Sequence, residues 1–597
     1  MGAIPYRDAQ GKILGSTFRV WAPFAKKVAV IGDFNQWSKT ANLLVPEGNG
    51  NWSTDVADAM PNQAYKYVVI GQASDEALYR NDPRARYLEA GNSVIIDRQF
   101  DWGDENFQMP AWNELVIYEM HIGTFTDVPG SDPGSLTSAL KKFPYLQELG
   151  INAIEVMPPA EFNGQYSWGY NPAFPFAIEN AFGDPDAFRA FVKEAHRHGI
   201  AVIMDVVYNH FGPDALSMWQ FDGWSENGKG GAYFYNDWRC WTPWGDTRPD
   251  YGRDEVRQFI RDNAMMWLEE YRVDGLRLDA TAFIRNVYGN DNDSGNDLAE
   301  GYGLMQWINE EVDDRHPWKI TIAEDLGCNP WLVKSTEEGG AGFSSQWDIG
   351  FLGRIRQSLI VPNDYGRDMH AIAEAIQFRF TGNALSRVIY TESHDEVANL
   401  KERLPEEIWP GNAGSWFSRK RSTLGAALVL TSPGIPMIFQ GQEFLEDRWF
   451  DDQDPLDWSK LEQFGGIHDL YRDLIRLRRN WQDNTRGLLG QEVQVHHLNN
   501  EDKLIAFHRW EEGGAGDDVI VVMNFADHRY NHYTLGFPRP GLWRVRFNSD
   551  WDGYSPDFGN HPGFDTEATT MPWGDTDGML WAGNLGIGPY SVLILSQ

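Results

Sequence analysis

The sequence predicts an α/β chain: a (β/α)8 TIM barrel with a β-sandwich before it and an all-β domain after it. Three observations predict this. From about residue 112 to about residue 480, strand-like apolar runs alternate with helical patterns, the signature of a parallel sheet. Four of those runs end in acidic or His residues. A parallel barrel places its chemistry there, at the C-terminal ends of strands buried on both faces. On either side, short alternating runs punctuated by Gly, Asn and Pro read as all-β. The expected division is 1–108 for the N-terminal β-sandwich, 109–485 for the barrel with long loops, and 486–597 for the C-terminal β-sandwich.

Taken in order, the N-terminal strands are Ser16–Trp21, Lys27–Gly32 and Ala64–Ile70, and Asp33-Phe-Asn-Gln-Trp37 reads as a turn that presents an aromatic. Leu115–His121 is the first barrel strand. A helical segment over Leu136–Leu149 follows, ending at Gly150, a C-cap residue. Ile151–Pro158 is the next strand. Residues 185–198 are helical, with Pro185 at the start and Gly199 just past the end. Ala201–Val207 is a further strand. The alternating region, roughly 370 residues, exceeds the ~250 typical of one barrel. The excess is assigned to strand-to-helix loops such as 209–255, rich in Trp, Tyr, Gly and Asp. After a basic helix around Leu474–Arg479, strands resume at Leu504–Trp510 and Asp518–Phe525.

Composition narrows the partners. The formal charge is −35, from 86 acidic against 51 basic residues, which argues against a phosphate backbone or an anionic membrane surface. A neutral polymer is compatible with it, and so is a plain solubility role. Aromatics reach 14%, with 26 Trp; most are core, but flat faces also stack on the apolar faces of sugar rings. Cys240 and Cys328 are too few for a disulfide framework and read as free thiols, with a single bridge as the alternative. There is no apolar leader at the start and no apolar stretch approaching 18 residues, so a cytoplasmic location is expected.

The four acid-bearing segments are Ala201–His210, Val273–Ala280, Ile320–Asp325 and Val388–Asp395. Retaining cleavage of a glycosidic bond needs a nucleophile and a general acid about 5–5.5 Å apart. In a strand, residues two apart share a face, so Arg277 and Asp279 point the same way. The guanidinium is expected to lower the Asp279 carboxyl pKa and keep it ionised, as suits a nucleophile. Glu324 follows Ile-Thr-Ile-Ala, an apolar setting that raises its pKa and suits a general acid. Asp395 beside His394 offers a carboxylate and a donor for sugar hydroxyls as positive charge builds. A lone Asp at a strand end is more often a helix cap or loop anchor, and His210 or His394 alone could equally be structural. The set of four carries the signal.

Together these segments resemble glycoside hydrolase family 13, the α-amylase family, in Asp205-Val-Val-Tyr-Asn-His210, Gly275-Leu-Arg-Leu-Asp279, Ile322-Ala-Glu324-Asp and Glu392-Ser-His-Asp395. The resemblance implies Asp279 as nucleophile, Glu324 as acid/base and Asp395 as transition-state stabiliser. It implies that Arg277, His210 and His394 line the subsite of the attacked ring, that Tyr170 of Trp168-Gly-Tyr170 stacks on that ring, and that Asp205 supports the site. Asn209 is a calcium ligand in many members; calcium is often absent in this branch, and neither metal nor cofactor is expected. Gly15–Pro23 with Ile31–Trp37 looks like the carbohydrate-binding β-sandwich fused to branching enzymes, debranching enzymes and trehalohydrolases. An inter-domain brace with no sugar contact is the alternative for that module.

Three activities stay open: a 1,4-α-glucan branching enzyme, a maltooligosyltrehalose trehalohydrolase, and an α-amylase or debranching hydrolase. Thr431–Phe444, the Glu-Ser-His-Asp form and the C-terminal strands resemble the first. Tyr118–Thr126, Asp205–Pro213 and Asp274–Thr281 resemble the second, although Ser393 departs from the Asn usual there. A non-catalytic glucan-binding protein is remote, because Asp279, Glu324 and Asp395 are all intact. The Trp-rich loop Trp238–Trp244 is expected to stack Trp241 and Trp244 on glucose units. Glu443, after an apolar run, could line the site or be structural.

Overall fold

The structure is a computed structural model and describes all residues except 104, 105, 128, 129 and 131. Its centre is a closed parallel barrel. The strands are β1 (Ile117–Met120), β2 (Ala153–Val156), β3 (Ala201–Val206), β4 (Gly275–Leu278), β5 (Ile320–Ala323), β6 (Ser345–Trp347), β7 (Arg387–Ile389) and β8 (Ile435–Phe439). β8 pairs with β1 to close the ring. Every barrel strand is buried on both faces, which is why several, such as Ile320–Ala323 and Ile435–Phe439, read as nearly continuous apolar runs. Inside, Ile117, Ala153, Ala201, Ile203, Ile320, Ile322, Trp347, Val388, Ile435 and Met437 fill the lower layers as a packed core.

Helices wrap the barrel where the apolar periodicity places them. Pro185–Arg197 starts on Asp184, whose carboxylate accepts from the Ala187 amide, and Pro185 occupies a position needing no N–H. The segment after β1 differs from the single helix expected. It breaks into Leu136–Ala139, a 3-10 turn at Leu140–Lys142, and Phe143–Leu149. Pro144 sits in the first turn of the last piece, and its missing N–H and ring clash forbid a continuous ladder there. Gly150 caps that piece with φ 103°, as its position predicted.

Before the barrel, a four-stranded antiparallel sheet (Gly2–Arg7, Ile13–Trp21, Asn51–Ala57, Val45–Gly48) faces a second sheet built on Ala25–Gly32 and Ala64–Gly71. Trp37 is not an open platform; it packs against Ala29, Ile31 and Val68 of its own module. The module is fastened to the barrel by Arg86 to Glu270 (2.9 Å), Arg84 to Asp262 (2.7 Å) and the Phe24 amide to Asp222 (2.8 Å). After the barrel, a six-stranded sheet and a two-stranded ribbon enclose a core of Leu504, Ile520, Val522, Leu535, Trp543 and Leu595. Two cations lock this region to the barrel. Lys420, on the helix Trp416–Thr431, donates to Asp550 at 2.8 Å with both side chains fully buried. Arg509 is also fully buried and donates to the carbonyls of Gly490 (2.6 Å), Leu488 (3.2 Å) and Thr431.

Both cysteines are free thiols. Among the described residues, no helix is long and apolar enough to cross a membrane. Glu443 is buried beside the helix layer, accepting from Tyr145 (2.7 Å) and Tyr118 (3.0 Å), so it is structural.

Candidate active site

β3, β4 and β5 are adjacent, and their ladders run one residue past the strands: the Asp279 amide donates to Val206 and the Glu324 amide to Leu278, both at 3.0 Å. This sets Asp279 and Glu324 side by side at the barrel mouth. After Asp279 the chain turns through Ala280 in a left-handed conformation (φ 44°), which costs about 1 kcal/mol in a residue with a Cβ. The turn aims the Ala280 amide at the Glu324 carboxylate, 2.7 Å away.

Beneath the two acids lies Arg277. It donates to Asp279 at 2.9 Å and to Asp205 at 2.8 Å, and its other nitrogen is 3.8 Å from Glu324. Asp205 also accepts from the Tyr170 hydroxyl at 2.6 Å. Trp347 lies under the guanidinium, 4.4 Å from its centre. Arg277 and Asp205 expose 0% and 1% of their surface. They act on the carboxylates above them. Asn209 donates to Asp279 at 2.8 Å and meets His210 Nδ1 through its oxygen at 2.5 Å. Asn209 thereby links the acid to the imidazole.

The electrostatics differ from sequence reasoning in one respect. Burial pushes the Asp279 carboxyl above its ordinary range, and the neighbouring Arg277 recovers only part of this. An adjacent guanidinium had suggested a lowered value; what the sequence hid is how deeply the Asp279 carboxyl is buried. Glu324 behaves as expected. Burial, opposed by Arg277 and reinforced by the Asp279 and Asp395 charges, raises it to about 8. Burial likewise lifts Asp205 to about 7.

Asp395 opens a short turn beyond β7, and its side chain is 49% exposed. His394 Nε2 stands 3.4 Å from it, while Nδ1 meets Glu119 of β1 at 2.5 Å. Against burial, which favours neutral imidazole, the charges of Asp395 and Glu119 raise His394 to about 9. Tyr170 stacks on the His394 ring at 4.9 Å, and Trp168 meets its edge at 5.9 Å while packing on Phe450. His210 is lowered to about 4 by burial and stacks on Trp244 at 4.8 Å. The structure therefore gathers Asp279, Glu324, Asp395, Arg277, Asp205, His210, His394, Tyr170, Trp168 and Trp244 into one connected centre. Trp241 is one step further out, against Tyr288. A cavity of about 560 Å³ between the N-terminal module and the barrel, lined by Trp21, Asp82 and Tyr233 among others, contains none of these acids.

Sequence reasoning missed Glu119 and Glu155. They face each other across β1 and β2 inside the barrel. A signal existed: each is a lone acid in a strand otherwise apolar on both faces. Glu155 is buried, neither of its oxygens has a hydrogen-bond partner among the described residues, and burial raises it far above the carboxylate range, so it is held neutral. Glu119 positions His394. Replacing Glu119 by Gln keeps an acceptor but removes the charge, so His394 is expected to titrate below about 9, nearer the ordinary imidazole value. NMR titration of the His394 ring in the variant checks this; an unmoved titration would show that the Glu119 charge does not hold the imidazole protonated.

Comparison with known proteins follows the same outline. The chain matches the alpha amylase catalytic domain over residues 120–250 and 246–503. Residues 1–85 match carbohydrate-binding module 48, the isoamylase N-terminal domain, and residues 495–597 match the alpha amylase C-terminal all-beta domain. It is 31% identical to a 1,4-alpha-glucan branching enzyme GlgB of Rhodospirillum rubrum, covering 92% of this chain and 76% of that one. With the enzyme of that name from Aquifex aeolicus it shares 30% identity over 97% of this chain and 93% of the other. Two solved pullulanases share the fold. That of Anoxybacillus sp. LM18-11 in complex with maltotetraose has a TM-score of 0.73, 20% identity and coverage of 100% and 87%. That of Bacillus acidopullulyticus has a TM-score of 0.74, 21% identity and coverage of 100% and 75%.

Proposed function

The chain belongs to the α-amylase family, and on that premise we propose that it is a 1,4-α-glucan branching enzyme. Its reaction is retaining cleavage of an α-1,4 glucan followed by transfer to a 6-hydroxyl. The observation that carries this reading is the extent of the likeness to branching enzymes. It runs through both flanking domains as well as the barrel, over 97% of this chain and 93% of the Aquifex aeolicus enzyme.

The geometry supports the following steps. Asp279, held by Arg277 and Asn209, attacks C1 of the ring to be transferred. Glu324, raised to about 8, enters protonated and gives its proton to the departing 4-oxygen. As the ring takes on oxocarbenium character, Asp395 and the protonated His394 hold its hydroxyls. The cleaved chain leaves with its new 4-hydroxyl, and the remainder is esterified on Asp279. Glu324, now a carboxylate, takes the proton of an acceptor 6-hydroxyl, whose oxygen attacks C1 and expels the Asp279 carboxylate. The acid/base is restored and the anomeric configuration is retained. Water in place of the acceptor gives hydrolysis by the same residues.

The two outcomes separate on amylose. Iodine colour is expected to fall while reducing ends stay constant, the mark of transfer. Rising reducing ends would make the enzyme a hydrolase, and no change in either would turn attention to maltooligosyltrehalose. We place the enzyme in the cytoplasm, a reducing compartment that suits its two free thiols.

A further inference from the structure

Trp168 and Tyr170 ride on a strap, residues 162–173, that joins the antiparallel segments Ala160–Glu161 and Phe174–Ile178 beyond β2. Residues 163–166 of the strap are exposed, yet Tyr170 stacks on His394 and bonds Asp205 at 2.6 Å. That contact anchors the tip of the Tyr170 side chain. The backbone that carries it has a second anchor, His121, the first residue past β1. Its Nε2 meets the Ser167 carbonyl oxygen at 3.0 Å and its Nδ1 meets Thr124 Oγ1 at 3.1 Å. The buried ring stands edge-on to Phe450 at 5.5 Å, and Phe450 packs on Trp168 in turn.

The hydrogen-bond roles follow from the partners. A carbonyl oxygen can only accept, so His121 Nε2 carries the proton. The His121 amide can only donate, so the Gln440 side-chain oxygen faces it, at 2.9 Å. This turns Gln440 Nε2 toward Thr124 Oγ1, also at 2.9 Å. Thr124 Oγ1 accepts from Gln440, and its own proton is directed to His121 Nδ1. Each link orients the next: Gln440, just past β8, sets Thr124, Thr124 sets the imidazole tautomer, and the imidazole holds the strap. Burial and the nearby His394 charge lower His121 to about 4, in keeping with an accepting Nδ1.

Ser167 passes the anchor on to the rings. Its hydroxyl donates to Asn171 Oδ1 at 2.5 Å and accepts from the Gly169 amide at 3.0 Å, which closes a compact turn around Trp168-Gly-Tyr170. Gly169 is left-handed (φ 94°), and a Cβ there would run into the Pro158 carbonyl at the end of β2. So tight a turn moves as one piece, and a shift at Ser167 is a shift at Tyr170.

We propose that His121 is a positioning residue for the reaction: its Nε2–H locks the strap, and so keeps the Tyr170–His394 stack in register with Asp279 and Glu324. It acts through Ser167 and not on the sugar itself. The inference rests on the α-glucan reading for its substrate.

The test compares His121→Gln with His121→Asn. A Gln amide reaches the place of Nε2 and can still donate to Ser167, whereas the shorter Asn amide reaches the place of Nδ1. On amylose, kcat per folded molecule is expected to fall about 10- to 100-fold in His121→Asn, with KM within about 3-fold of the parent, and to recover to within about 3-fold in His121→Gln. An aryl α-maltoside should show the same pattern, because the lock serves the ring under attack and not the chain beyond it. Parent-like kcat in folded His121→Asn, with only the melting temperature lowered, would overturn the proposal by showing a structural role. His121→Gln as impaired as His121→Asn would overturn it as well. Nitrogen-15 NMR of the selectively labelled parent needs no variant to fold: the Nε2–H tautomer of His121 is expected, and the Nδ1–H tautomer would remove the lock. If the parent turns over neither substrate, the α-glucan reading itself fails, while the tautomer still decides the lock.

Discussion

Asp279→Asn is expected to lower kcat on α-glucan by about 1000-fold or more, the scale seen when a nucleophile is removed. The amide is isosteric and cannot form the glycosyl ester. Its oxygen can accept from only one of Arg277 and Asn209, which hold the carboxylate at 2.9 and 2.8 Å, and its NH2 faces the other donor. The fold should persist. The Asp279 carboxyl has a folded pKa above its ordinary value because of burial, so the folded state binds the proton more tightly than the unfolded one. Stability from such a group is present at low pH and declines as pH rises through the folded pKa. A permanently neutral Asn avoids that decline but takes one carboxylate from the buried Arg277, which keeps Asp205, so the variant should still melt as a folded protein near neutral pH. Thermal melting beside single-turnover kinetics checks both halves. Residual turnover above one-thousandth of the parent rate would place the nucleophile elsewhere.

The second large effect concerns Glu324. With its carboxyl raised to about 8, activity on amylose should fall as pH climbs past that value, because the acid form is lost. Glu324→Gln should remove that limb and reduce turnover of unactivated glucan by about 100- to 10,000-fold. An α-glucosyl fluoride needs no proton on its leaving group. The variant should therefore still release fluoride in a first turnover and then stall as the ester on Asp279, since no base is left to activate the acceptor. Mass spectrometry of the quenched protein detects the adduct. Prompt release of fluoride over many turnovers would assign the acid/base to another residue.

Much of this centre could be read along the chain because strand geometry is local. Period-two alternation put Arg277 and Asp279 on one face, and the apolar run before Glu324 foretold a raised pKa. Contacts across the barrel carried no such trace. Glu119 and His394 meet from β1 and from beyond β7, and nothing in either neighbourhood names the other. The sign of the Asp279 shift was missed for the same reason: sequence reveals the neighbouring guanidinium but not the depth at which both lie. The bond from His121 to the strap was equally silent, because it goes to a backbone carbonyl, which any residue supplies. The aromatic loop was visible by composition; Tyr288, a single ring in a different loop, was not.

The buried pair Lys420–Asp550 bears on how such a molecule comes apart. With both side chains sealed from water, neither partner tolerates the loss of the other, and breaking such a pair costs about 3–5 kcal/mol. Arg509 adds a second buried charge, satisfied by the carbonyls around it, one of them on the barrel helix. A protein trimmed of its C-terminal strands would take Asp550 from Lys420, and the detached strands would take Arg509 from the Thr431 carbonyl while it kept those of Leu488 and Gly490. The barrel and its last domain are therefore expected to melt together, and a replacement module would have to bring an acid for Lys420.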